Sequence, residues 1–89
     1  MMLHTSHSEI IKRLKRAEGH LKSTIAMLEG GRGCLEVAQQ LHAVEKAIVN
    51  AKKVLVHDHI NHCLERAVRE ESQNADKAIQ EFKEITKFL

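Results

Sequence analysis

The sequence predicts an all-α fold of three helices, the central one too long to be covered by its own chain. Three observations carry this. The 89 residues include no proline and four glycines, so breakers are few and turn residues for a β fold are lacking. Apolar positions recur in steps of three and four. One stretch, Cys34 to about Arg69, contains no breaker at all. The length fits a single domain spanning 1–89, near the lower size at which one core stabilises a fold alone.

Helix one opens at "SHSE", where Ser6 and Glu9 have capping-box spacing. Its stripe is Ile10, Leu14, Ala17, Leu21, Ile25 and Leu28, and "GGRG" stops it, with Gly30 and Gly31 as the C-terminal pair. Helix two carries Val37, Leu41, Val44, Ile48, Ala51 and Leu55, a coiled-coil-like pattern. At ~1.5 Å per residue it is roughly 50 Å long, more than its two shorter neighbours cover, so a second copy of helix two is expected against it. Helix three follows "ESQN", capped near Ser72 or Asn74, and shows Ala75, Ala78, Ile79, Phe82, Ile85 and Leu89.

Net charge is +2, but residues 1–34 carry six Lys/Arg against three Glu, while residues 70–89 carry three Lys against five acids. The basic half is therefore the side for an anionic partner. No apolar run approaches the ~18 residues of a membrane span, no signal-peptide pattern opens the chain, and two cysteines make no disulfide scaffold. A cytoplasmic protein with reduced thiols is the expectation. No nucleophile–base–orienter set is present, so an enzyme is not expected.

The segment "VHDHINHCLERA", Val56 to Ala67, concentrates metal-ligand atoms. His59 and Cys63 stand at i and i+4 and project from one helical face; His62 flanks that face and His57 lies about 200° around the helix. Cys34 is roughly 38 Å away along the same helix, against a metal–sulfur bond of about 2.3 Å. It reaches His59 and Cys63 only if two copies of helix two pack antiparallel. The midpoint falls at Ala47–Ile48, and Ala43, Ala47 and Ala51 around it are small enough for close approach. The spacing thus predicts a homodimer with two equal sites, each Cys34 from one protomer and His59 plus Cys63 from the other. Against this stands the plain alternative of a small apolar cysteine and solvated histidines.

"RLKRAEGHL", the "GRGC" junction, "AQQLHAVEKAI" and "DHINHC" resemble the CsoR/RcnR family of small helical transcriptional repressors, over nearly the whole chain. The resemblance implies three helices assembled as a dimer of dimers. It also implies a metal-ligand set at Cys34, His59 and Cys63, which fall on the family's cysteine, histidine and variable positions. Where the family often has arginine after "AAV", this chain has Glu45 followed by Lys46.

Two thiolates and an imidazole are a soft, low-coordinate set that favours Cu(I) over Ni(II) or Co(II). The family's nickel and cobalt members complete their site with an N-terminal histidine; here Met2 falls at that spacing, with His4 and His7 nearby. The family's formaldehyde sensors react at the helix-two cysteine, a role Cys34 could serve, but Cys63 is then unexplained. Persulfide sensing leaves His59 unexplained. DNA contact is expected from Lys12, Arg13, Lys15, Arg16 and Lys22 on helix one and Lys52 and Lys53 on helix two, all off the apolar stripes, acting on phosphates. The mechanism expected is release of double-stranded operator DNA by a homotetramer on metal binding, derepressing metal efflux genes. A cytosolic metal buffer without DNA binding and a plain helical dimerisation module are the other classes.

Overall fold

The computed structural model describes residues 6–69 and 72–89. Three α-helices follow in order: α1 (His7–Glu29), α2 (Cys34–Arg69) and α3 (Ser72–Ile85), then a 3₁₀ turn over Thr86–Phe88. The C-terminal residues expected to continue helix three thus tighten into 3₁₀ geometry after Ile85. Thr86 Oγ1 donates to the Lys83 carbonyl at 2.9 Å, and Lys87 pairs with Glu84 at 3.0 Å. Among the described residues no helix is long and apolar enough to cross a membrane.

The start of α1 differs from the capping box expected there. Ser6 holds the N-cap position, but with φ −77° and ψ −15°, helical rather than extended. Its hydroxyl is therefore not aimed at the amides of the first turn and makes no cap bond. Ser6 Oγ is buried without a hydrogen-bond partner among the described residues. Glu9, the other half of the expected box, lies 3.4 Å from Arg13 Nε instead.

The end of α1 follows its glycines. Gly31 stands at φ +75°, the left-handed region. This lets Arg32 N donate to the Met27 carbonyl at 3.0 Å and Gly31 N to the Leu28 carbonyl at 3.1 Å, the paired bonds of a Schellman motif. The chain then turns through Gly33, whose carbonyl accepts the Val37 amide at 3.1 Å, and α2 begins. Arg32 pairs with Glu36 in the first turn of α2.

Both short helices pack antiparallel on α2, α1 along its first half and α3 along its second, and α1 and α3 make no contact with each other among the described residues. Ile10, Ala17 and Thr24 on α1, Val37, Val44, Ala51, Val56 and Cys63 on α2, and Ala78 on α3 are buried. Thr24 satisfies its hydroxyl by donating to the His20 carbonyl at 2.9 Å. His20 Nε2 donates to Gln40 Oε1 at 2.6 Å, tying α1 to α2.

Only part of each expected stripe is covered. Leu14, Leu21, Ile25 and Leu28 on α1, and Leu41, Ile48 and Leu55 on α2, are exposed in the single chain. A pair of helices buries one narrow seam of each, here at seven-residue spacing, and leaves the rest of a wider apolar face outside. Of the alanines expected around a two-fold axis, Ala51 is buried, Ala47 is half-buried and lines a notch together with Ala17 of the same chain, and Ala43 is exposed. The outward seam of α2 is Leu41, Ile48 and Leu55.

Candidate metal centre

The second half of α2 and α3 bring three donor residues together. His59, Cys63 and Glu81 each offer one ligand atom, all within 4.8 Å of one another. His59 and Cys63 share a face of α2 because they are one turn apart. Glu81 comes from α3, which runs back along α2 and presents it three residues after the fully buried Ala78. Cys63 is 1% exposed. Its thiol donates to Glu81 Oε2 at 3.9 Å, and His59 Nε2 lies 3.8 Å from the same oxygen. Arg66 Nη1 donates to that oxygen at 3.3 Å.

Burial pushes the Cys63 thiol above its ordinary value of 9.0. The neighbouring Glu81 carboxylate pushes the same way, by its charge and by accepting the S–H bond, and Arg66 opposes them. At neutral pH Cys63 is thus a protonated thiol, and a metal ion taking it as ligand must displace the proton. The donors fit such an ion: a buried thiol and a half-buried imidazole converge, with the Glu81 carboxylate and the Arg66 guanidinium beside them.

The other expected ligands lie elsewhere. Cys34, the first residue of α2, is exposed and stands 25 positions before His59 on one unbroken helix. His7 opens α1 and is not among the residues that converge on His59 and Cys63. His4 lies outside the described residues. His57 is exposed, as its angular position predicts.

Sequence reasoning missed Glu81 and Arg66. A trace was present for both. Glu81 interrupts the apolar face of α3 between Ala78 and Phe82, and Arg66 stands three residues past Cys63 on the same face of α2. What spacing within a helix could not supply was the pairing of the two helices.

The expected DNA-contacting cations are all exposed, but they do not form one face. Arg13 and Arg16 line a notch of about 190 Å³ between α1 and α2, with Ala17, His20, Ala47 and Asn50. Lys15 and Lys22 lie on another side of α1, bordering the exposed Leu21 and Ile25. On α2, Lys53 stands one turn after Asn50, on the notch side, and Lys52 turns away from it.

Comparison with known proteins follows the same lines. Residues 6–87 match the family described as Metal-sensitive transcriptional repressor. The copper-sensing transcriptional repressor CsoR of Mycobacterium ulcerans is 38% identical over 78 residues, 88% of this chain but 65% of the relative, so the match spans under two thirds of that protein. CsoR of Bacillus subtilis is 36% identical over 83 residues, covering 89% of this chain and 80% of the relative. A solved structure, the nickel-responsive transcriptional regulator InrS, superposes with a TM-score of 0.82 at 31% identity, covering 100% of this chain and 99% of that one. These relatives are named as repressors or regulators of transcription, in agreement with the expectation that the chain is not an enzyme.

Proposed function

The chain belongs to the metal-sensitive transcriptional repressor family, and we propose that it is a cytoplasmic, transition-metal-responsive repressor that holds double-stranded operator DNA in its apo form and leaves it on binding metal. The ligands are Cys34 of one protomer with His59 and Cys63 of its partner. The observation that carries this reading is the position of the cysteines. Cys63 is buried beside His59, whereas the only other cysteine is exposed at the opposite end of the same helix. Two copies of α2 laid antiparallel along the exposed seam Leu41, Ile48 and Leu55 have their centre at Ile48. Residue 34 then lies opposite residue 62, beside His59 and Cys63. Seam and ligand spacing thus favour the same register. The exposed Leu14, Leu21, Ile25 and Leu28 of α1 are surface for a further pairing into a homotetramer.

Two thiolates and an imidazole favour Cu(I) over Ni(II) or Co(II), and the similarity to copper-sensing and nickel-responsive proteins supports a transition-metal effector. His7 remains open as a further ligand for nickel or cobalt, together with His4. The DNA side rests on phosphate contacts. Arg13 and Arg16 at the notch, with Lys12 and Lys53 on adjoining turns, form the nearest cluster, and Lys15, Lys22 and Lys52 stand apart from it. Metal and DNA oppose each other, so by linkage DNA weakens metal binding by the factor with which metal weakens DNA binding. Genes derepressed in this way would include a metal exporter.

The test mixes two variants, Cys34→Ala and His59→Ala/Cys63→Ala. Each alone loses metal-dependent release from the promoter upstream of its own gene, and the mixture regains one intact site per heterodimer. Failure to regain it places the site within one chain and removes the antiparallel argument. Binding to that promoter that does not weaken with rising salt, or is absent, would instead leave a metal buffer.

A further inference from the structure

One oxygen stands at the centre of the α2–α3 cluster. Glu81 Oε2 lies 3.9 Å from Cys63 Sγ, 3.8 Å from His59 Nε2 and 3.3 Å from Arg66 Nη1. A carboxylate so placed has two possible roles towards an ion held by His59 and Cys63. It can become a ligand, adding a hard anionic oxygen to the imidazole and thiolates. Or it can stay outside, held by a cation of the protein. The first suits divalent ions that want four or more ligands; the second leaves a soft, low-coordinate set.

Arg66 is built for the second role. It stands one turn past Cys63, and its side chain is 22% exposed against 36% for Glu81, so the pair is partly withdrawn from water. A guanidinium stays charged at every working pH and offers several donors in a fixed fork. Its charge also opposes any ion bound nearby, and the repulsion of a divalent ion is twice that of a monovalent one at equal distance.

We propose that Arg66 determines the ion selectivity of this centre: by holding Glu81 at Oε2 it keeps the carboxylate out of the ion's coordination shell and disfavours divalent ions relative to Cu(I). This rests on the assignment of His59 and Cys63 as ligands. Arg66 is a positioning residue, acting through Glu81.

The test compares the full-length wild type with Arg66→Met, Arg66→Lys, Glu81→Gln and Arg66→Met/Glu81→Gln, titrated with Cu(I), Co(II) and Ni(II) against chelators. Visible absorption of the Co(II) forms reports coordination number. Arg66→Met raises Co(II) and Ni(II) affinity by about 10-fold, the lower end of what changes to the groups around metal ligands do, and Cu(I) affinity by less than about 3-fold. The Co(II) bands change intensity as an oxygen ligand joins, and Arg66→Met/Glu81→Gln loses both effects. Arg66→Lys, which keeps the charge and preserves the fold if Met does not, falls between wild type and Met. Unchanged Co(II) and Ni(II) affinity in Arg66→Met overturns the proposal. So does a gain that survives in the double variant, since the carboxylate then plays no part. Wild-type metal affinity in His59→Ala/Cys63→Ala, by contrast, overturns the ligand assignment beneath it.

Discussion

Between Val37 and Ala51 the long helix leans on α1 through aliphatic and alanine side chains; between His59 and Arg66 it leans on α3 through an imidazole, a thiol and a guanidinium gathered on one carboxylate. The first contact holds no cluster of metal-donor groups among the described residues. Its strength comes from close packing of small groups, with the His20–Gln40 bond as the cross-helix polar pair at its edge. The second places two metal-donor atoms and a fixed ion pair where an ordinary core would have leucines. The α1 end of the molecule is thus permanent and the α3 end conditional.

Five measurements test that contrast. The largest effect is expected at the conditional end. His59→Ala should lower metal affinity by more than the roughly 10- to 100-fold typical of losing a group that hydrogen-bonds a metal ligand, and Gln40→Ala, in the permanent half, should leave it unchanged. Equal losses in chelator competition would erase the distinction.

Next come the alanines. Ala51 is 1% exposed, so Ala51→Leu should overpack the α1 contact and cost about 1–3 kcal/mol. The denaturation midpoint should fall while the metal-bound and apo proteins lose stability alike. Gly31→Ala should cost about 1 kcal/mol, because φ is +75° although nothing lies within 4 Å of the added Cβ. A neutral result in urea would mean that the Schellman turn can shift.

The pH dependence separates the halves without a large mutation. The folded Cys63 thiol titrates above 9.0, so the unfolded chain gives up that proton first as pH rises. The stability linked to the neutral thiol is fully present below about pH 9 and is lost as pH climbs through the raised folded value. Apo protein should therefore lose stability in alkali, and Cys63→Ala should flatten that part of the profile. An unchanged alkaline slope in Cys63→Ala would assign it to other groups. The smallest effect is at Ser6. With no cap bond to lose, Ser6→Ala should change stability by far less than the typical 1 kcal/mol of a true N-cap. A loss of that full size by thermal melting would show that the hydroxyl does cap the helix in solution.

Much of this was legible in the sequence. The three helices, the Gly30–Gly31 stop and the shared face of His59 and Cys63 all follow from spacing along one chain, and spacing along one chain is what periodicity measures. The misreadings share the opposite character. Ser6 and Glu9 have the right separation, but the backbone at Ser6 is already helical. From the apolar stripe, packing within the chain selects Val37, Val44 and Ala51 and leaves Leu41, Ile48 and Leu55 outside, where a second copy of helix two is expected. Glu81 and Arg66 are 15 residues apart and meet only because α3 folds back on α2. Choosing among faces of one helix requires knowing its neighbours, and that information is tertiary.

One feature of the architecture has a mechanical side. Because α1 and α3 do not touch each other among the described residues, a disturbance at one reaches the other within the chain along that rod of 36 residues. A rod about 50 Å long is a lever. A tilt of about 5° pivoting at the His59–Cys63 end sweeps the Cys34 end, roughly 38 Å away, through about 3 Å. A change in side-chain geometry too small to alter any helix thus shifts the stretch of α2 that faces Arg13 and Arg16 by about 2 Å.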